Sequence, residues 1–301
     1  MIHDSGWYER RKNGIGGSDI AAVFDLSPWK SAYQLYLEKR GEADRDNSNM
    51  EAKSWGQRME PVIREWYSET TGEEVWQPEE MIVSPEYPWM YASVDGLVGN
   101  DKILEIKTDR VGTNWGDVGT DQIPDYYALQ CHYYLTVLDK QITDVAVMIK
   151  GASPEIYTLN RDAEMSEMII KASYNFMEAV KNGNPPEAKT YTDRLHKHRD
   201  VKDKAVVASG EIFDVYEQLK RLSADIRDLE QEKDFLKTRI MEYLGINHGD
   251  VLLDSHGDKI VTWKQTTPRT VLDTNKLKSE MPEIYKKYAA TKDNVRMFLV
   301  K

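Results

Sequence analysis

The stretch YASVDGLVGNDKILEIKTD, residues 91–109, decides how this chain is read. It predicts a strand from Met90 to Val98, a tight turn at Gly99-Asn100-Asp101 and a second strand from Lys102 to Thr108. Glycine and asparagine tolerate positive φ in the turn, and apolar residues flank it on both sides. Strand alternation sends Ile103, Glu105 and Lys107 to one face and Leu104, Ile106 and Thr108 to the other. Glu105 and Lys107 are then neighbours on one side of a sheet, and Asp95 on the adjacent strand can face them. Two carboxylates and an ammonium converging at a sheet edge make a hard-oxygen metal site with a catalytic cation beside it. The plain alternative is an edge hairpin with exposed charges, and residues elsewhere in the chain weigh against it.

Glu60, in GQRMEP, lies on the helix preceding the sheet, where a carboxylate aimed at the strand ends can ligate a metal or position its waters. Gln130, in YALQCHYYL, lies on the helix after the hairpin, where a side-chain amide can hold a water or a phosphate oxygen. Arg11 and Ser18 bracket the glycine loop R-K-N-G-I-G-G-S-D. Gly14, Gly16 and Gly17 allow backbone amides near a helix start to approach an anion, Arg11 adds a bidentate fork and Ser18 a hydroxyl. Asp19 reads as structural. Trp7, Trp29 and Trp55 read as packing residues, and Trp115, in a glycine-containing loop, is the better candidate to touch a substrate. Cys131 and His132 read as core and surface positions, and His196 and His198 as linker residues.

The chain resembles the YqaJ-like viral recombinases, relatives of phage lambda exonuclease, over roughly residues 7–185. The resemblance rests on R-x-x-x-I-G-G-S-D at 11–19, G-x-x-x-E-P at 56–61, S-V-D-G at 93–96, L-E-I-K-T at 104–108 and Y-x-x-Q-x-x-Y at 127–133. Each motif alone is weak, whereas all five in order at compatible spacing are specific. Asp95 followed by Glu-Ile-Lys matches the nuclease signature PD-(D/E)xK. The resemblance implies an α/β (α+β) restriction-endonuclease-like core and a magnesium-dependent exonuclease, with manganese a possible substitute, digesting one strand of duplex DNA from its 5′ end. It also implies a ring-shaped homotrimer and a single-strand annealing protein as partner. Carried over residue by residue, Glu60, Asp95, Glu105 and the carbonyl of Ile106 are metal ligands. Lys107 and Gln130 are catalytic, and Arg11 and Ser18 hold the 5′ phosphate. The rival readings are a structure-specific or nonspecific endonuclease of the same superfamily and a non-catalytic DNA-binding scaffold.

At 301 residues, with 40% hydrophobic and 10% aromatic residues, the chain can build a core. A net charge of −11 counts against a simple basic DNA binder. Local distribution matters more: Arg10 to Lys12 and Arg194 to Arg199 are basic. The single cysteine, Cys131, excludes an internal disulfide and a four-cysteine cluster. No apolar run is long enough to span a membrane and no signal segment is evident, so the expected compartment is the cytoplasm of a bacterial host.

The element order to residue 185 is α-α-β-β-β-α-β-β-α. It includes a strand at Val75–Val83, a loop over 42–50 and a helix from Ala52 to Thr70 that Pro61 must kink. A linker is expected near Lys189–Ala208, dividing an exonuclease core, 1–193, from an accessory helical and hairpin module, 194–301. In that module Ile212, Tyr216, Leu219, Leu222, Ile226, Leu229, Leu236, Ile240 and Tyr243 recur at three- and four-residue steps, interrupted by Lys233. This predicts a long amphipathic or coiled helix stopped at Gly245. A hairpin over 251–264 and a last helix, Asp273–Tyr288, follow, and the long helix is expected to pack on both.

Overall fold

A strand pairs on both edges only where its neighbours keep register, and the breaks in this register place the site. The computed structural model describes residues 11–43, 50–198, 204–268, 270–290 and 298–300. Its strands are β1 (Ile15–Gly16), β2 (Val75–Trp76), β3 (Ile82–Val83), β4 (Met90–Ala92), β5 (Gly96–Val98), β6 (Lys102–Asp109), β7 (Ile142–Ile149), β8 (Glu155–Asn160), β9 (Val251–Leu253) and β10 (Lys259–Thr262). Its helices are α1 (Gly17–Val23), α2 (Ala32–Arg40), α3 (Met50–Thr71), α4 (Asp125–Leu138), α5 (Ala163–Asn182), α6 (Tyr191–Lys197), α7 (Gly210–Ile246), α8 (Thr274–Glu280) and α9 (Pro282–Tyr288).

Five strands form a mixed sheet in the order β2-β5-β6-β7-β8, with β6 in the middle. β5 and β6 are antiparallel, and β6 runs parallel to β7 along its whole length, Lys102↔Ile142 to Asp109↔Ile149. A parallel pair needs a crossover, supplied here by α4. The two faces of β6 separate as the alternation predicts. Leu104 and Ile106 join Ile63 and Tyr67 of α3 in one apolar cluster, while Ile103 packs with Leu129, Tyr133 and Leu135 of α4 in another. A third cluster joins Cys131 to Val145, Val147, Tyr157 and Leu159. α3 runs unbroken through Pro61.

The expected strand Met90–Val98 is two strands in two sheets. β4 belongs to a three-stranded sheet, β1-β4-β3, and β5 to the five-stranded one. Between them the Asp95 carboxylate accepts the Ile106 amide at 2.8 Å, a side chain standing where a neighbouring strand's carbonyl would otherwise sit. The expected strand Val75–Val83 splits likewise into β2 and β3 around Pro78, which has no amide to give a ladder.

The chain divides into two units, Met1–His198 and Arg199–Lys301. α6, expected in a linker, belongs to the first: Asp193 is buried and accepts from the Ser31 hydroxyl at 2.8 Å. In the second unit β9 and β10 form the expected hairpin. The long helix runs past Gly245 to Ile246. The expected final helix is two, because Pro282 cannot continue a helix and Met281 before it takes φ −134° and ψ 60°. Neither α8 nor α9 contains a buried residue, and the apolar seam of α7 stays exposed, so the packing expected among them is not formed. Residues 44–49, Trp7, Arg10 and part of the linker lie outside the described residues.

Candidate active site

Where β5 stops, the β5-side edge of β6 is left open from Glu105 onward, and the candidate residues gather there. Glu105 is 3% exposed on the α4 side. Its Oε1 accepts from Lys107 Nζ at 2.5 Å and from Gln130 Nε2 at 2.8 Å. Lys107 Nζ also donates to Gln130 Oε1 at 3.2 Å and lies 4.8 Å from the centre of the Tyr127 ring. Gln130 Nε2 reaches the Tyr134 hydroxyl at 3.1 Å. Tyr127, Gln130 and Tyr134 stand at i, i+3 and i+7, one face of α4.

Asp95 is held from two directions, its carboxylate on the Ile106 amide and its carbonyl on Arg64 Nε at 3.1 Å. In a strand the amide and carbonyl of one residue point to the same edge, so the Ile106 carbonyl faces the edge that Asp95 occupies. Glu60, one helical turn before Arg64 on α3, is half-buried and feels the charges of both Asp95 and Lys107.

The electrostatics of this cluster are out of balance. Burial pushes the Glu105 carboxyl up to about 8, with Lys107 opposing and Asp95 and Glu60 adding to the rise. Burial and Asp95 push Glu60 up to about 7, against Arg64 and Lys107. Burial raises Asp95 as well, against Lys107, the Ile106 amide and Arg64. Burial works against the Lys107 ammonium, yet Glu105 and Asp95 hold it and its pKa is raised. Three carboxyls thus share one ammonium and one guanidinium, and Glu105 Oε2 is buried with no hydrogen-bond partner. An orphaned carboxylate oxygen beside two under-neutralised carboxyls fits a divalent cation, which prefers hard oxygen donors. Among the described residues, no group of three or more His, Cys, Asp or Glu side chains is already gathered to hold a metal.

Arg11 and Ser18 come together, with Arg11 Nη2 donating to Ser18 Oγ at 2.8 Å and pairing with Asp19 at 3.2 Å. Asp19 is buried and also binds Lys39 at 2.8 Å. Despite its burial, Lys39 and Arg11 hold its carboxyl well below the usual carboxylate range. The glycines also make room for aromatic rings. A Cβ on Gly16 or Gly17 would stand 2.7 Å from the Tyr91 ring or 2.4 Å from the Tyr134 ring, and the Gly16 amide donates to Asp19 at 3.3 Å. They are spaces that tyrosines fill. Tyr134 consequently touches both the Arg11 loop and Gln130.

Among the described tryptophans, exposure runs against the expectation. Trp115 donates its indole N–H to Asp109 at 2.9 Å and packs on Tyr127 and Tyr157, a framework role. Trp29 and Trp55 are 59% and 54% exposed. Trp29 packs edge-on to Tyr126 at 4.9 Å in a groove of 390 Å³ that Tyr127 and Arg110 also line. Trp55 lines a second groove, of 540 Å³, with Arg110 and Lys150. Both grooves meet the end of β6 at Thr108 and Asp109. Sequence reading missed Arg64 and Tyr134, and it quoted Tyr127 within a motif without giving it a role. Their signal was present: Arg64 is four residues from Glu60, and the tyrosines share a helical face with Gln130.

Residues 6–144 match the YqaJ-like viral recombinase domain. The chain is 28% identical over 294 residues to the uncharacterized protein YqaJ of Bacillus subtilis, covering 93% of this chain and 89% of that protein. It is 37% identical to protein D345L of African swine fever virus over 59 residues, which are 17% of that protein. Among solved structures, an alkaline exonuclease from Laribacter hongkongensis is similar at a TM-score of 0.47 and 20% identity, over 60% of this chain and 94% of that one. A phage related exonuclease from Haemophilus somnus is similar at a TM-score of 0.41 and 11% identity, over 56% of this chain and 96% of that one. No helix among the described residues is long and apolar enough to cross a membrane.

Proposed function

We propose that this chain, whose residues 6–144 form a YqaJ-like viral recombinase domain, is a metal-dependent deoxyribonuclease, and more narrowly a 5′-to-3′ exonuclease acting on duplex DNA ends and leaving 3′ single-stranded tails. The observation that carries this reading is the buried, unpartnered Glu105 Oε2 within a cluster of carboxyls short of positive charge. Asp95, Glu105, Glu60 and the Ile106 carbonyl would hold Mg²⁺, or Mn²⁺ in its place. When bound, such an ion polarises the scissile phosphate and offsets the charge that builds on the leaving oxygen.

The protein's own groups supply the rest. Lys107, kept charged by Glu105 and Asp95, stabilises negative charge developing on the phosphate and orients the attacking water. Gln130 ties the carboxylate and the ammonium together, donating to Glu105 and accepting from Lys107. Arg64 keeps the Asp95 backbone in place. Arg11 and Ser18 form the pocket for a terminal 5′ phosphate, a role supported by their mutual contact and by the tyrosine that links their loop to Gln130.

The test is digestion of linear duplex DNA bearing 5′-phosphate or 5′-hydroxyl ends, with Mg²⁺ and with chelator. Metal-dependent release of nucleotides from 5′-phosphorylated ends is expected, and Glu105→Gln, Asp95→Asn and Lys107→Ala should each abolish it. Cutting of closed circular DNA would make the chain an endonuclease instead. Binding without hydrolysis under any metal would leave a scaffold.

A further inference from the structure

The apolar seam of α7 is arranged for one kind of partner. From Ile212 it fits a heptad repeat without a skip. The a positions are Ile212, Leu219, Ile226, Lys233 and Ile240, and the d positions are Val215, Leu222, Leu229, Leu236 and Tyr243. The run continues for more than four heptads inside one unbroken helix, past the three or four that mark a coiled coil. Seven of these side chains, Leu222, Ile226, Leu229 and Leu236 among them, are between 50% and 63% exposed. Among the described residues of the second unit, nothing covers them. The hairpin takes only the last turn, where Leu244 at an e position is 2% exposed and the Gly249 amide donates to its carbonyl at 2.8 Å.

We infer that this face is a self-association surface on which a second copy of the same helix seats, parallel and in register, as a two-stranded coiled coil. The choice of occupant follows from the residues. Isoleucine at three of the a positions with leucine at three of the d positions favours two strands over three or four. A single charged residue at one a position, Lys233, is a register and strand-number device. In a parallel pair each a side chain enters a hole bordered by the partner's preceding g residue, and here that residue is Glu232. Each Lys233 therefore meets an acid contributed by the other copy. Glu232 also stands at the g position that faces e of the partner five residues on, which is Lys237. One rim pair, Asp225 with Glu230, is like-charged and opposes association; it is exposed at the edge, where such a pair has a small effect. An antiparallel pair would set Lys233 against Leu222 and lose both the Glu232 contacts.

The experiment uses the full chain, weighed in solution by light scattering after gel filtration. Leu229→Asp lies on an exposed helix face, so the variant should keep its far-ultraviolet spectrum while the particle mass falls by half, whether to one copy or to the ring of three that the resemblance implies. Glu232→Lys should weaken association about ten-fold through the rim charges, and adding Lys237→Glu should recover only part of it, because the swap remakes the 232–237 pair and leaves Lys233 without its acid. Leu236→Cys should give a covalent dimer on mild oxidation, because parallel d positions face each other, while the wild-type chain, whose one cysteine is buried in the core, should not. A wild-type chain that runs as a single copy overturns the inference and leaves the seam for a different protein. So does a particle whose mass ignores Leu229→Asp, or a Leu236→Cys chain that resists cross-linking.

Discussion

Glu105 carries more of the proposed chemistry than any other side chain, and its environment makes its contribution to stability depend on pH in a fixed direction. Its carboxyl ionises near 4.5 when unperturbed, and burial raises that to about 8 in the folded chain. The folded state therefore holds this proton more tightly than the unfolded one. The contribution is fully present below about 4.5 and is lost as pH rises through about 8. Without metal, the melting temperature should fall between pH 5.5 and 8.5, and Glu105→Gln should flatten that part of the profile. Mg²⁺ should stabilise the chain more at pH 8.5 than at pH 5.5, since bound cation and proton compete for the same oxygens. A metal-free melting profile unchanged by Glu105→Gln would remove Glu105 from the unbalanced cluster. Asp19 has the opposite sign, its carboxyl held low by Lys39 and Arg11. Asp19→Ala strands two nearly buried cations and should cost about 3–5 kcal/mol, read by urea unfolding at neutral pH. Glu105 and Lys107 were legible in the sequence because strand alternation fixes which side chains share a face, whereas Asp95 joins them from the break between β4 and β5, which alternation does not describe. Arg64 and Tyr134 were harder to see because each acts through another residue's backbone or amide, which no spacing rule announces.

At the scale of elements, local pattern was reliable wherever one segment makes its own hydrogen bonds and less so where partners decide. α2 begins at the Ser31 cap and ends on Gly41 in the left-handed region, as its sequence states. The break between β4 and β5 was hidden because Tyr91 to Val98 is apolar enough to continue, and the Asp95 carboxylate interrupts it only by finding an amide eleven residues away. The glycine loop shows the same limit. Gly14, Gly16 and Gly17 suit an anion cradle and a close-packed tyrosine equally well from sequence alone, and the rings of Tyr91 and Tyr134 occupy their open sides. Gly17→Ala puts a methyl 2.4 Å from the Tyr134 ring, a buried group tied to Gln130 that cannot swing aside. The expected loss is about 1–3 kcal/mol in chemical unfolding, with a fall in hydrolysis rate because Gln130 shifts with its tyrosine. Gly41→Ala, where nothing lies within 4 Å, separates the two effects. It should lower stability through its φ of +69° and leave the rate of the folded fraction alone.

For the whole molecule the question is where the first unit ends. The sequence divides the chain at 193/194, within a linker near Lys189–Ala208, and the recombinase-domain match stops at residue 144, yet the structural unit continues to His198. The reason is α6. Thr190 caps it by accepting from the Asp193 amide at 3.1 Å, and the buried Asp193 carboxylate takes both the Thr190 amide and the Ser31 hydroxyl. Ser31 is itself the cap of α2, so the second and last helices of the unit share one hydrogen-bonded junction, with the His196 ring 6.3 Å from that of Tyr33. Tyr33, Leu35 and Tyr36 of α2 are part of the main apolar cluster, and Lys39 of the same helix holds Asp19 beside Arg11. Loss of α6 is therefore felt through α2 at the proposed phosphate pocket. A chain ended at His198 should fold, keep the melting temperature of the core transition and hydrolyse DNA at a rate close to that of the full chain. One ended at Lys189 should lose about 1–3 kcal/mol for the unmade buried hydrogen bonds and discriminate less between 5′-phosphorylated and 5′-hydroxyl ends. Equal stability and equal end preference in the two truncated chains would mean that α6 is ornamental and that the division belongs before it, where the expected linker begins. A folded but inactive chain ended at His198 would place the second unit on the substrate path.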